Sequence, residues 1–241
     1  IFKKKQKVKI EGASEVRKSH NKPLVLVLTG GSPICSSELH QLADAILFVW
    51  YPGEQGGNAV ADIIFGDANP SGRLPVTFPM SLNQLPPYED YSMKNRGYRY
   101  MTEEPLYPFG FGLSYGKFEY LTLQLSANTI AKGQSLKATV SLMNKGKQKG
   151  EEVVQLYVSH SDSLHAPLYA LKAIHRLLLS TGEQTEVSFS VTPEMLSIIN
   201  ANGEMIQPSG TVTIFVGGAL PIRRSIELGA SQYVSVKVEV Q

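Results

Sequence analysis

The chain has 241 residues, 42% of them hydrophobic and 18% charged, with 23 Lys and Arg against 21 Asp and Glu for a formal net charge of +2. That composition is globular, with room for one large domain or two ordinary ones, and its near-balanced charge gives no field that would draw nucleic acid. The lone cysteine, Cys35, excludes an internal disulfide and every Cys-based metal site, and the longest strongly apolar run, Leu24 to Leu28, is far too short to span a bilayer.

The N-terminal basic run, Lys3-Lys4-Lys5 with Lys7 and Lys9, reads as a solvated tail. No apolar h-region follows it, so no signal peptide is visible. The chain starts at Ile1 rather than Met, which leads us to expect further polypeptide upstream. Leu24 to Leu28 is a continuous apolar run ended by Gly30-Gly31-Ser32-Pro33, as in a parallel strand covered on both faces. Ser36 to Ala43 reads as a short helix, Ala45 to Trp50 as a second buried strand. After Pro52-Gly53, the residues Ala59, Val60, Ile63 and Ile64 recur at helical spacing up to a stop at Gly66. This β-α-β-α order indicates an α/β layer, but two strands make only part of a sheet.

Residues 67–117 are rich in Pro, Gly, Tyr and Asn and carry little periodicity, as functional loops or linkers do. From about Phe118 the pattern alternates with period two. Leu136, Ala138, Val140 and Leu142 form one such series; Val187, Phe189 and Val191 another; Val212, Ile214 and Val216 a third; Val234, Val236, Val238 and Val240 a fourth. Turn signals at 144–146, 181–183, 202–203 and 208–210 separate them, which predicts an antiparallel sandwich of about seven strands, of immunoglobulin or fibronectin type III kind.

The residues that carry chemistry are sparse. His20, His40, His160, His165 and His175 form no metal-binding pair and read as surface or cap residues. Gly53-Glu54-Gln55-Gly56-Gly57-Asn58 opens a helix after a strand, yet lacks the spacing of a phosphate cradle; its glycines read as permitting close packing. A glycosidase needs two carboxylates held across a sugar ring. Glu54, Asp62, Asp67, Glu89 and Asp90 lie near one another in sequence, but spacing pairs none of them, and Glu54 reads as helix-start electrostatics. Trp50, Tyr51, Tyr88, Tyr91, Tyr98 and Tyr100 either stack on sugars or pack a domain junction, with packing favoured.

Residues 50–79, WYPGEQGGNAVADIIFGDANPSGRLPVTFP, resemble the C-terminal α/β domain of glycoside hydrolase family 3. Arg96 to Tyr100 and Pro105 to Tyr115 are similar to that family's GYRY and PLYPFGYGLSYT signatures, and residues 144–157 to a segment of its fibronectin type III-like domain. The resemblance covers about residues 22–225. It implies an exo-acting retaining hydrolase releasing β-linked glucose or xylose from non-reducing ends, with no cofactor or metal. In the family the nucleophile sits on an N-terminal barrel and the acid/base on the earlier half of the α/β domain. Residues 1–21 do not show the family's Glu-containing segment, so Glu11 and Glu15 are not carried over, and no catalytic or substrate-binding residue is assigned in this chain. Residues 85–93 and 216–221 look slightly more like β-xylosidases than glucosidases.

The expectations are therefore a partial α/β domain over 1–115 and a fibronectin type III-like domain over 116–241, together the C-terminal part of a glycosidase inactive by itself. A periplasmic or secreted location is expected. Its partners would be an oligosaccharide or aryl β-glycoside, the barrel and the upper α/β half, with self-association through the open sheet edge, a second polypeptide, or the Lys7 to Ile10 segment added as a strand, as substitutes for that half. No nucleic acid or membrane partner is expected. The other function class is a non-catalytic carbohydrate-binding or interaction module.

Overall fold

The structure, a computed structural model, describes residues 4–161 and 166–241, with residues 4–9 as backbone only. Lys3 and His165 lie outside the described residues. The segment read as a basic tail is instead helix α1, Lys4–His20. Lys, Gln, Glu, Ala and Arg dominate it, no proline interrupts it, and Arg17, Lys18 and His20 in its last turn complement the helix dipole. This helix also removes the alternative of Lys7 to Ile10 as an added strand. Arg17 fixes the helix to the layer below: its guanidinium donates to Asp44 at 2.6 Å and to the Leu42 carbonyl at 3.1 Å, while Asp44 also accepts from the Leu24 amide at 2.7 Å.

Strands β1 (Val25–Leu28) and β2 (Ala45–Phe48) pair in parallel, Val25 opposite Ala45. Between them runs α2 (Ser37–Leu42), capped by Ser36, whose Oγ accepts from the Leu39 amide. Helix α3 (Gly56–Phe65) follows and ends on Gly66 in the left-handed conformation, φ 87°. The expectation that β1 is covered on both faces is corrected: Val25 and Val27 are 37% and 41% exposed, and α3 buries none of its residues. Continuous apolarity marks a strand made to be covered, and the described residues cover one face of it.

The irregular stretch holds a 3-10 turn at Leu82–Gln84, the one-turn helix α4 (Gly97–Tyr100) and a bridge between Phe78 and Tyr107. The β-sandwich then begins with β3 (Phe118–Leu125), β4 (Thr129–Ile130), β5 (Leu136–Asn144), β6 (Gly150–His160), β7 (Ala170–Leu179) and β8 (Gln184–Val191). A small hairpin, β9 (Ile198–Ile199) with β10 (Met205–Ile206), precedes β11 (Gly210–Gly217), α5 (Arg223–Glu227) and β12 (Val234–Val240). One sheet has the order β4-β12-β11-β6-β7 and the other β3-β5-β8; all pairings are antiparallel except β12 with β4. The alternating residues named from the sequence point inward. Val140, Leu142, Val154, Leu156, Val191 and Ile214 are fully buried between the sheets, each worth about 1.5–3 kcal/mol of apolar burial.

Candidate functional site

The carboxyl ends of parallel strands are where α/β folds place ligand sites, and the chain concentrates aromatic and polar side chains there. Backbone pairing continues past the strands, with the Val49 amide donating to the Leu28 carbonyl at 2.9 Å and the Gly30 amide to the Trp50 carbonyl at 3.1 Å. Trp50 itself has φ 53°, a conformation that costs a bulky residue energy and persists only where packing holds it. That packing is a row of edge-to-face rings: Trp50 on Phe48 at 4.6 Å, Phe48 on Phe78 at 5.2 Å, and Phe78 on Tyr107 at 6.0 Å. His40 closes the row, its Nδ1 3.0 Å from the Tyr107 hydroxyl.

The six aromatics singled out from the sequence divide into two groups. Trp50 packs as described, Tyr98 lies stacked on Phe109 at 4.0 Å, and Tyr100 is half-buried. Tyr51, Tyr88 and Tyr91 are 80%, 87% and 88% exposed. The carboxylates do not converge. Glu54 lies in the exposed turn before α3, Asp62 on that helix and Asp67 just after it, while Glu89 and Asp90 belong to a separate loop; all five are exposed. Hydrogen bonds from Ser92 hold the Asp90 carboxyl below its usual value, the direction opposite to that of a general acid. Of the glycines in the turn, Gly56 abuts Pro52, where a Cβ would come within 2.4 Å, whereas Gly53 and Gly57 face open space. Among the described residues no His, Cys, Asp and Glu cluster suits a metal.

Of the histidines, His20 bonds back to the Val16 carbonyl at the end of α1, and His175 is exposed on β7. His160 departs from the surface reading. It is half-buried at the end of β6, and burial pushes its imidazole down.

Sequence reasoning missed a buried polar clamp. Arg73, from the linker, donates to Glu152 on β6 at 2.8 Å and to the Gly218 carbonyl at 3.1 Å. The Tyr120 hydroxyl donates to the other Glu152 oxygen at 2.8 Å. Alongside, Gln155 donates to the carbonyls of Gly110 and Gly218 at 2.9 and 2.8 Å and accepts from the Tyr157 hydroxyl. Asn69 accepts from Ser114 and from the Tyr115 amide and donates to the Lys149 carbonyl. Gly110, at φ 71°, has no space for a side chain, since a Cβ there would lie 2.2 Å from Gln155. The residues of the family-like strings at 68–73, 105–115 and 150–157 thus meet at one interface between linker and sandwich. A charged and an amide residue inside an apolar run are the signal that was available: Glu152 and Gln155 flank Val153 and Val154 in β6, ahead of Leu156, Tyr157 and Val158.

Burial pushes the Glu152 carboxyl above its ordinary value of 4.5, against the pull of Arg73. The folded chain therefore holds this proton more tightly than the unfolded one. Stability linked to the group is complete below 4.5 and is lost as pH rises through the raised value. Glu152→Gln is expected to lower stability but to flatten its fall as pH rises above 4.5, read from urea midpoints. Parallel profiles for variant and parent would show that this carboxyl does not carry the pH dependence.

The sequence profile of the glycosyl hydrolase family 3 C-terminal domain matches residues 6–115, and that of the fibronectin type III-like domain residues 152–219. The first match begins at residue 6, so the likeness reaches into α1, beyond the stretch recognised from motifs. A protein of Salmonella typhimurium named periplasmic β-glucosidase is 39% identical over 83% of this chain. A Formosa agariphila protein named putative β-xylosidase is likewise 39% identical over 83%. The chain spans 28% and 27% of these relatives' lengths. Among solved structures, β-glucosidase 3B from Thermotoga neapolitana in complex with α-D-glucose superposes with a TM-score of 0.84 at 31% identity, covering 98% of this chain and 34% of that one.

Proposed function

The chain belongs to glycoside hydrolase family 3, and from that premise we propose that it forms the C-terminal portion of an exo-acting retaining β-glycoside hydrolase. In this reading residues 1–115 are the later part of the α/β domain and 116–241 the fibronectin type III-like domain. Support for that division comes from the family match ending at residue 115 and the strand starting at Phe118. The substrate is an oligosaccharide or aryl glycoside bearing a terminal β-linked glucose or xylose. The location is periplasmic or secreted, in keeping with the name of the Salmonella typhimurium relative. The kinship to proteins named β-glucosidase and β-xylosidase over 83% of the chain carries the proposal.

Retaining hydrolysis needs a nucleophile and an acid/base about 5–5.5 Å apart, one of them with a raised pKa. The exposed, scattered positions of Glu54, Asp62, Asp67, Glu89 and Asp90 favour catalytic carboxylates outside these 241 residues. In the complete enzyme this portion serves as a wall and support, with Val25, Val27, Ile64 and Phe65 meeting further polypeptide or a second copy.

The test is a chimera in which residues 6–241 replace the matching portion of the Salmonella typhimurium relative. Hydrolysis of nitrophenyl β-glucoside or β-xyloside is expected within about tenfold of that parent, with no release above background by the 241-residue chain alone. A soluble chimera without turnover overturns the hydrolase reading. Turnover by the chain alone that disappears on Glu54→Gln moves the catalytic carboxylate into this chain.

A further inference from the structure

Buried side chains divide the chain at a different place from the family match. Among the described residues before 67, Leu39 is the one buried hydrophobic side chain. The irregular stretch that follows buries Phe78, Leu106 and Phe111 to 2%, 2% and 7% exposure. A segment with so little regular structure buries large side chains only against a neighbour.

This segment runs out and back as two limbs, 69–79 and 105–115, paired by their backbones. The Leu74 amide donates to the Phe111 carbonyl at 2.9 Å and the Gly110 amide to the Leu74 carbonyl at 2.8 Å, while Phe78 and Tyr107 exchange bonds at 2.9 and 3.2 Å. Both limbs are tied to the sandwich. On the first, Arg73 holds Glu152 and the Gly218 carbonyl, Ser71 donates to Glu151 at 2.8 Å, and Asn69 donates to the Lys149 carbonyl at 3.1 Å. On the second, Gln155 donates to the Gly110 carbonyl and Arg224 to that of Leu106, and the Phe109 carbonyl accepts from the Leu220 amide.

The sandwich in turn needs the limbs. Tyr157 alternates along β6 with the core residues Leu156 and Val158 and so points out of the sandwich, yet it has no exposed surface. Its cover is Tyr98, 6.3 Å away edge-to-face, and Gly110, where a Cβ would lie 2.6 Å from the Tyr157 hydroxyl. From the other side the α/β layer rests on the same limbs, through Phe48 and Trp50 on Phe78 and through the Tyr115 hydroxyl, which donates to the Ile63 carbonyl.

We infer that residues 67–115 belong mechanically to the sandwich, and that the sandwich is the base holding the α/β layer in one orientation rather than a freely swinging binding module. The cooperative unit then starts just after Gly66, not at residue 115, where the family match ends. This goes beyond the hydrolase reading and does not rest on it: the chimera of that reading can be active or inactive with the boundary at either place.

Hydrogen exchange of the 241-residue chain, followed by mass spectrometry of peptic peptides, tests it. Peptides covering 72–79 and 105–112 are expected to show protection within about tenfold of β6 peptides and at least about tenfold above those covering 25–48. Gln155→Ala should lower protection in both limbs together by about tenfold. Chymotrypsin gives a second readout, because Tyr88 and Tyr91, 87% and 88% exposed, sit in the loop that joins the limbs. A chain nicked there should still elute as one particle and separate only in denaturant, since each limb is docked by itself. Limbs that exchange along with 25–48, limb protection untouched by Gln155→Ala, or a nicked C-terminal piece that elutes free of residues 69–79 overturns the inference.

Discussion

Arg73→Ala is expected to cost about 3–5 kcal/mol of unfolding free energy, because it strips the partner from a carboxylate buried between linker and sandwich. Arg73 and Glu152 side chains are 10% and 3% exposed, so water is not at hand to replace the guanidinium. The loss should fall on the linker side first. Trp50, the single tryptophan, lies on that side and reports it by fluorescence, while far-ultraviolet dichroism follows the sandwich strands. The expectation is a fluorescence midpoint that shifts to lower urea by more than the dichroism midpoint. A companion variant, Arg73→Met with Glu152→Leu, removes both charges at once and should recover much of the loss. If Arg73→Ala leaves both midpoints within about 0.5 kcal/mol of the parent, the clamp has no role in holding the two parts together.

Gly112→Ala should cost about 1–3 kcal/mol by overpacking. A Cβ at that position would lie 2.2 Å from the backbone oxygen of Gly72, and a backbone oxygen cannot swing away as a side-chain tip can. That oxygen also accepts from Arg73 at 3.2 Å, so displacing it disturbs the clamp as well. The matched control is Gly57→Ala, at the start of α3 with nothing within 4 Å, where added helix propensity is expected to leave stability unchanged or raise it by about 0.5–1 kcal/mol. Thermal melts of the two single variants decide the point: equal midpoints would mean the close approach of 112 to 72 is not a constraint.

Residue order alone made the sandwich legible, because period-two alternation records which side chains face the core and survives any rearrangement of loops. It also marked the β-α-β-α order and the Gly66 stop, since each depends on contacts a few residues apart. The family-like strings were readable for the same reason, as short runs of fixed residues. Strand β7, ALKAIHRLLL, was not singled out: it is an edge strand whose outward Ile174 and Leu178 stay exposed, so its apolarity does not alternate. Helix α1 was hidden by its charge, because a basic run carries no apolar stripe to announce a helix.

Tertiary structure decided the rest. Arg73, Glu152 and Tyr120 stand far apart in sequence, and only the docking of the linker across β6 and β3 brings them within hydrogen-bond distance, where burial turns ordinary polar residues into a clamp. The same docking sorted the aromatics, burying Tyr98 against Phe109 while leaving Tyr88 and Tyr91 in solvent, a division that composition cannot express because each is a tyrosine beside similar neighbours. It also separated carboxylates that looked close in sequence. Glu54 and Asp90 lie on different segments with exposed surroundings, and catalytic character comes from a shared, desolvated geometry that proximity along the chain does not supply.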